Sequence, residues 1–562
     1  MRTGGRIIVD HLARAGIDRI FTVAGESFLP VLDALHDVRA PSVVPCRHEG
    51  GAAMMAEADA RLAGWRGQAR PGVALVTRGP GLANALSGLH VAMQDATPLL
   101  LLVGMPPTKV LGRGAFQEVA VEPLVGTFTK WAATARDTSR LPELLSHAFH
   151  EALSGRPGPV ILGLPEDVLD AASDVDEAPT VTRSSPTPSW QDLGRLADAL
   201  EHAEWPMVLA GGTGWTPPAC AALTTFAERF DLPVVASFRS QDVIDNRSRQ
   251  YVGHAGRAMS PKLQRALASA DLVIAIGTHF DETTTGSYRA LPLVPGRARR
   301  TLVHVHPSPG EIGRLMATDL PIVSTVTAFT ERLEDVAPSV RCGMRQRWST
   351  LRRDLRSTFE TWQAFPPSPG RLRLESVVRH MSETLPADAI VTNGAGNYAA
   401  FLHRAYTWKA PATQLAPVSG SMGYGLPAAI AAKLAEPTRE VVCLAGDGCL
   451  QMSIQELATA AQLALPIVVL VANNNMLGTI RAEQERRYPG RVVATSLVNP
   501  DVTDLARAYG FHAERVDTDD AFPAAFARAR RAASPALIEL VLDPAALAPG
   551  EVLADRISPS DS

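Results

Sequence analysis

Val441-Val-Cys-Leu-Ala-Gly-Asp-Gly448 reads as a buried strand that breaks at a Gly-Asp-Gly turn. A helical pattern follows, with Ile454, Leu457, Ala458, Ala461 and Leu465 on one face. Next comes a second apolar run, Pro466–Ala472, which ends in Asn473-Asn-Asn475. This is a βαβ unit, so its two strands run parallel. Parallel neighbours place their carboxyl ends on one edge of the sheet, where open α/β folds bind ligands. Asp447 and Asn474, 27 residues apart in the chain, are expected side by side on that edge. One carboxylate and neutral oxygens, completed by phosphate oxygens, suit a hard divalent cation such as Mg2+. Flanking glycines let the backbone approach phosphates, and a helix N-terminus adds N–H donors.

The same style repeats outward from this unit. In the first block, apolar runs at Arg19–Val23, Ser42–Pro45, Val73–Thr77, Leu99–Val103 and Val160–Leu164 alternate with helical stretches such as Gly50–Gly64 and Leu82–Asp95. The middle block has runs at Met207–Ala210, Val234–Ala236, Leu272–Gly277 and Leu302–Val305, and the last block adds Ala389–Thr392 and Ala536–Val541. Continuous apolar strands of this kind belong to parallel sheets covered on both faces. Asp170–Ser189, dominated by Ser, Thr, Pro, Asp and Glu, reads as a linker. Arg341–Arg373 is basic and ends in Phe365-Pro-Pro-Ser-Pro-Gly370; a solvated connecting helix before a second linker fits it better than a nucleic-acid patch. The expectation is an α/β chain of three doubly wound parallel-sheet domains at 1–170, 189–340 and 371–550.

Composition narrows the class. At roughly 150 residues per domain, 562 residues suit three or four domains. A content of 46% hydrophobic and 20% charged residues excludes a disordered chain. A net charge of −4 gives no broad footprint for nucleic acid or an anionic membrane. Cys46, Cys220, Cys342, Cys443 and Cys449 lack disulfide or zinc spacing and read as small buried residues in a reducing compartment. The start, around Ile7, Ile8, His11 and Leu12, is amphipathic rather than a signal peptide. Leu99–Val103 and Ile467–Ala472 are too short to cross about 30 Å of hydrocarbon. A cytoplasmic protein is expected, without membrane or nucleic-acid partners.

Longer motifs surround these residues: Gly446-Asp-Gly-Cys-Leu-Gln-Met-Ser-Ile-Gln-Glu-Leu457, Asn473-Asn-Asn-Met-Leu-Gly478, Ser419-Gly-Ser-Met-Gly-Tyr-Gly-Leu-Pro-Ala-Ala-Ile430, Arg47-His-Glu49, Thr77-Arg-Gly-Pro-Gly81 and Ala115-Phe-Gln-Glu118. Together they resemble the thiamine diphosphate (ThDP) enzymes, and within them the acetolactate synthase (acetohydroxyacid synthase) branch, over essentially the whole chain. The resemblance implies a ThDP pyrimidine-binding domain, a central domain and a ThDP diphosphate-binding domain. It also implies ThDP and Mg2+ as cofactors. The assembly would be a homodimer or homotetramer in which the first domain of one subunit and the third of another share a cofactor.

Residue by residue, the resemblance assigns roles. Glu49 matches the glutamate that hydrogen-bonds N1′ of the aminopyrimidine, so that the 4′ nitrogen can take the proton from thiazolium C2. Met422 stands where a bulky apolar residue bends the cofactor, and Gly420 would offer its carbonyl to the 4′ nitrogen. The Asp447 and Asn474 side chains, with the Met476 carbonyl, would hold Mg2+. Gly446, Gly448, Cys449 and Leu477 belong to the same cofactor-binding motifs. Gly394, Asn397 and Tyr398 stand where relatives place diphosphate contacts, commonly Gln and His at the last two. Phe116 and Gln117 match a pair lining the substrate pocket, with Gln117 a catalytic candidate.

Three departures qualify the substrate. Glu483 replaces a tryptophan that helps acetohydroxyacid synthases select the acceptor keto acid, and an acid there would repel an anionic acceptor. Ala24-Gly-Glu26 replaces Pro-Gly-Gly, so Glu26 is either a proton donor, as in decarboxylases of the superfamily, or a helix cap. Phe280-Asp-Glu-Thr283 replaces Phe-Asp-Asp-Arg, although His304-Val-His-Pro-Ser-Pro-Gly310 follows the synthases, which leaves FAD or an empty nucleotide pocket in the central block. The expected activity is Mg2+- and ThDP-dependent carboligation or decarboxylation of a 2-keto acid, on small keto acid or aldehyde substrates. The alternatives are a decarboxylase or a benzaldehyde-lyase-like acyloin lyase, a silent ThDP-fold binding subunit, and a Rossmann dehydrogenase built on Gly394-Ala-Gly-Asn-Tyr-Ala399.

Overall fold

Each apolar block forms one six-stranded sheet, parallel throughout. The computed structural model describes residues 1–179, 181, 183–291 and 300–553; Thr180 and Thr182 of the expected linker lie outside the described residues. Across the first sheet the order is Ser42–Pro45, Arg19–Thr22, Gly72–Thr77, Leu99–Met105, Pro159–Pro165 and Trp131–Thr134. The third sheet repeats that winding: Gln414–Leu415, Ile390–Asn393, Val441–Gly446, Val468–Asn473, Ala536–Val541 and His512–Val516. In both, the chain reverses direction across the sheet between its first and third strands, which opens a crevice at their carboxyl ends. The middle sheet is wound as 3-2-1-4-5-6 in chain order, from Tyr251–His254 through Pro206–Ala210 to Leu320–Val323.

The described chain divides into two compact units. One comprises 1–184 together with Pro417–Ala435 and Ser453–Leu463, and the other holds the middle and third sheets. In the first unit, the helix Glu49–Trp65 is rich in Ala and Met and buried on nearly every face, as a helix inside a large core must be. The third sheet has its own core, with Val442, Leu444, Leu470, Ile538 and Leu540 fully or almost fully buried.

Sequence and structure part in several places. The strands Trp131–Thr134, Leu320–Val323, Gln414–Leu415 and His512–Val516 were not expected. They lie at sheet edges and are short or interleaved with polar residues, so they lack a continuous apolar run. The expected linker begins with a two-residue strand, Ala172–Ser173, paired to Arg2–Thr3. The basic stretch forms the helix Cys342–Gln363, which is solvated on one face and packed on the other: Trp348, Leu351, Leu355 and Phe359 are buried, Arg352 pairs with Asp231 at 2.9 Å, and Arg356 donates to the Asn246, Ser248 and Tyr251 carbonyls. Cys342 is exposed, unlike the other four cysteines. Finally, the helix expected after Asp447 is broken into Asp447–Gln451, the 3-10 turn Ile454–Glu456 and Leu457–Gln462. The break shifts the helical phase, so Glu456, Leu457, Thr459 and Ala460 are buried while Ile454, Ala458 and Ala461 are half-buried.

Candidate active site

In the first unit, the strand Ser42–Pro45 delivers the chain to His48, whose extended backbone and Nδ1 cap the helix Glu49–Trp65 by accepting from Gly50 N–H at 3.0 Å. Glu49 is therefore the first helical residue, 9% exposed, where the helix dipole favours a carboxylate. Asn84 Nδ2 donates to Glu49 Oε2 at 2.9 Å. The other oxygen, Oε1, stands 3.5 Å from where a methyl group on Gly81 would sit, so the glycine leaves room before it.

A residue to which the sequence pattern assigns no role fixes this turn. The fully buried Glu456 carboxylate accepts from the backbone N–H of Arg47 at 3.2 Å and His48 at 3.0 Å, and from Thr459 Oγ1 at 2.7 Å. Burial pushes its carboxyl up, and these donors pull it back. A side chain on Gly51 would begin 2.4 Å from Glu456 Oε1, so only glycine admits that approach. Glu456 stands inside the quoted motif, in the mostly polar run Ser453-Ile-Gln-Glu456, where nothing local marks it.

Glu26, Phe116 and Gln117 gather around Arg78. The buried guanidinium pairs with Glu166, lies 3.8 Å from Glu26 and donates to the Phe116 carbonyl at 3.1 Å. Gly79 N–H donates to the Gln117 carbonyl at 2.9 Å. Gln117 has φ 58°, a bend that turns its exposed side chain and that of Phe116 outward. Glu26 opens a 3-10 turn whose cap is Gly25; it is exposed and within reach of Arg78. Arg78 directly precedes Gly79-Pro-Gly81 in the quoted motif, where nothing local marks its role. Gly420 (φ 71°) is exposed and Met422 half-buried, both on the loop leading to the helix Gly425–Ala435.

In the second unit, the register sets the cation candidates. Gly446 pairs with Ala472, which brings Asp447 level with Asn473, one residue before the expected Asn474. Gly446 caps the helix Asp447–Gln451, so Asp447 opens a helix rather than a turn. The run Asn475–Leu477 then zips against Thr495–Leu497, with Leu477 N–H donating to Thr495 O at 2.8 Å and Leu497 N–H to Asn475 O at 2.9 Å. That pairing delivers Asn499. Its Nδ2 lies 2.7 Å from Asp447 Oδ2 and 3.1 Å from both Asn473 Oδ1 and Asn475 Oδ1. Two hydrogens thus face three oxygens. Asn474 Oδ1 instead accepts from Met476 N–H at 3.3 Å. Burial raises the Asp447 carboxyl above its ordinary range, opposed by Gly448 N–H and the Asn499 amide. Asn475 and Asn499 were missed because the strand pairing that recruits them is invisible in local sequence.

Beside this cluster, Tyr398 is bonded inward. Its hydroxyl accepts from Gly394 N–H at 3.1 Å and donates to Cys449 Sγ at 3.2 Å. Burial raises the phenol well above its ordinary value, so it stays protonated. The ring packs on Gly446, where a side-chain carbon would begin 2.9 Å from it. Asn397 Oδ1 accepts from Thr479 Oγ1 at 2.9 Å. Glu483 pairs with Arg486 at 2.5 Å and Arg487 at 3.4 Å. Two arginines thus accompany the acid that is expected to repel an anionic acceptor.

Comparison with known proteins matches all three sheets. The N-terminal TPP binding domain of thiamine pyrophosphate enzymes matches residues 2–124, the central domain 193–333, and the C-terminal TPP binding domain 394–540. The large subunit of acetolactate synthase isozyme 3 from Escherichia coli is 31% identical over 91% of this chain and 89% of its own length. The mitochondrial acetolactate synthase catalytic subunit of Saccharomyces cerevisiae is 30% identical, covering 96% of this chain and 81% of its own length. The large subunit from Lactococcus lactis is 30% identical over 92% and 88%. The chain belongs to the thiamine pyrophosphate enzymes, in their acetolactate synthase-like branch. Among the described residues, no three His, Cys, Asp or Glu side chains cluster as metal ligands, so amide oxygens share the edge with a single carboxylate. No described helix is long and apolar enough to cross a membrane.

Proposed function

We propose that this ThDP enzyme acts with Mg2+ on 2-keto acids and forms or breaks the carbon–carbon bond beside the carbonyl, as an acetolactate synthase-like carboligase. The observation that carries the reading is the convergence of Asp447, Asn473 and Asn475 oxygens on one donor at the crevice of the third sheet. A hard cation prefers such a set. In this reading Asp447 would hold Mg2+ with Asn473 and Asn475, whose oxygens the Asn499 amide hydrogens now engage, and the expected ligands Asn474 and the Met476 carbonyl would join it once Asn474 Oδ1 leaves Met476 N–H. ThDP, when bound, supplies the nucleophilic carbon and takes up the electrons that CO2 leaves behind.

The protein's own residues do the rest. Glu49 exchanges a proton through Oε1 with the pyrimidine, its other oxygen held by Asn84. Met422 supports the bend of the cofactor, and the Gly420 carbonyl accepts from its amino group. Gly394, Asn397, Gly446, Gly448, Cys449 and Leu477 line the diphosphate, and Tyr398 shapes that cradle from behind. Gln117 and Phe116 would meet the substrate, their backbone held by Arg78 and Gly79, and Glu26 would serve as proton donor. A homodimer or homotetramer in the cytoplasm follows from the resemblance. The 3-2-1-4-5-6 winding of the middle sheet is that of dinucleotide folds and supports FAD there. Thr283, where the synthases carry arginine, favours an empty pocket, and flavin absorbance of the purified protein decides between them.

Pyruvate alone, supplied with ThDP and Mg2+ and read out by product mass, tests the reading. Acetolactate is the expected product. Acetaldehyde, or no consumption of pyruvate, would instead favour a decarboxylase or acyloin lyase.

A further inference from the structure

Two buried carboxylates clamp the two ends of the loop that carries Gly420 and Met422. At its start, Asp95 accepts from Val418 N–H through Oδ2 at 3.0 Å and from Ser419 N–H through Oδ1 at 3.2 Å. At its end, Tyr424 donates its hydroxyl to Glu57, which also accepts from Thr97 Oγ1 at 2.6 Å. Between them Ser453 Oγ donates to the Gly423 carbonyl at 2.8 Å. Glu57 is fully buried and Asp95 6% exposed.

A cation stands at Asp95: Arg61 Nη1 lies 3.2 Å from its Oδ2. The charged and titratable groups facing Asp95 are thus Glu57 and Arg61 on the helix Glu49–Trp65, and Tyr424 at the head of the helix Gly425–Ala435. A carboxylate is the only form of Asp95 that accepts from both backbone N–H groups and Arg61 at once. Protonation gives one oxygen a hydrogen that faces these donors.

We propose that Asp95 is a positioning residue: its carboxylate holds the Pro417–Tyr424 loop, and with it Gly420 and Met422, in the form that receives the cofactor. The proposal rests on the ThDP reading of that loop. Burial first, and the charge of Glu57 second, push Asp95 up to about 7, so the clasp changes state near neutrality. Two opposite signs follow. The folded-state value lies above the ordinary Asp range, so the stability Asp95 contributes is fully present below that range and is lost as pH rises through about 7. Cofactor affinity runs the other way, because the clasped loop needs the charged form.

Calorimetric titration of ThDP into the full-length protein at saturating Mg2+, between pH 6 and pH 8, tests this on wild type, Asp95→Asn and Glu57→Gln. Wild-type Kd should rise about tenfold from pH 8 to pH 6, the ratio of clasped fractions for a group titrating near 7. Asp95→Asn should bind weakly at pH 8 with a flatter profile, since titration of the ligand itself is common to all three proteins. Glu57→Gln removes a neighbouring negative charge and should move the loss of affinity to lower pH. Thermal unfolding of the cofactor-free proteins should show the wild-type advantage over Asp95→Asn shrinking as pH rises. If Asp95→Asn fails to fold, the direction of the Glu57→Gln shift carries the test. Wild-type binding with Asp95→Asn indistinguishable across the range, or an unshifted Glu57→Gln profile, overturns the proposal. Wild type that binds no ThDP at any pH overturns the cofactor reading itself, and this inference with it.

Discussion

The edges of the first and third sheets share a winding but are built from opposite materials. Around Glu49, buried carboxylates organise the backbone: Glu456 holds the turn that presents it, and Asp95 and Glu57 hold the neighbouring loop, each accepting several donors. Around Asp447, one carboxylate stands among neutral amides that share the two hydrogens of Asn499. Buried charges bonded to backbone N–H groups are costly to disturb. Amides can exchange a donor for a cation by a small rotation, because each offers an oxygen and a nitrogen. The difference fits the two jobs. An acid that shares a proton needs fixed geometry, whereas a metal site needs oxygens that can change partner.

The sharpest way to break this comparison is at Glu49. Glu49→Gln keeps the shape and the Asn84 contact but cannot exchange the proton, so H/D exchange at thiazolium C2 should be abolished while ThDP still binds. Exchange at the wild-type rate would remove Glu49 from the chemistry and leave the first edge a purely structural device.

A smaller effect is expected at Asn499. Residues that orient metal ligands typically change metal affinity by about 10–100-fold when removed. Asn499→Ala deletes the donor shared by Asp447, Asn473 and Asn475, and calorimetric titration of Mg2+ in the presence of ThDP should register a change within that range. The direction decides the role. Weaker binding means that the amide pre-orders the oxygens, and tighter binding means that it competes for the cation's place. No change would separate Asn499 from the metal site and remove the adaptable half of the comparison.

How much of this was legible in the sequence follows from the same contrast. The central strands of each sheet announced themselves as unbroken apolar runs, and Asp447 and the asparagine run followed from parallel pairing alone. The edge strands and the broken helix after Asp447 did not, because half-exposed strands mix polar residues and a kink resets helical phase without a Gly or Pro to mark it. Glu49, Gly420 and Met422 were named through the family likeness and not by any local pattern. Glu456, Asp95, Arg78 and Asn499 stayed silent. Each acts through a partner dozens to hundreds of residues away, and a single acid, arginine or asparagine in a helix or loop has no spacing to betray it.

The smallest effect belongs to Tyr398, which separates shaping the third edge from touching the ligand. Its hydroxyl is fully engaged within the protein, between Gly394 N–H and Cys449 Sγ, and its ring fills the space left by Gly446. Tyr398→Phe retains the ring contact and leaves the Gly394 N–H without its acceptor, a loss worth about 1–3 kcal/mol for a buried donor. Thermal unfolding should therefore shift downward while ThDP affinity stays within about twofold. A phenol that instead donated directly to the diphosphate would lose a charge-assisted bond on substitution, and affinity would fall with little change in unfolding temperature. The ratio of the two shifts thus tells whether this edge meets the cofactor through its tyrosine or through the backbone that the tyrosine holds in place.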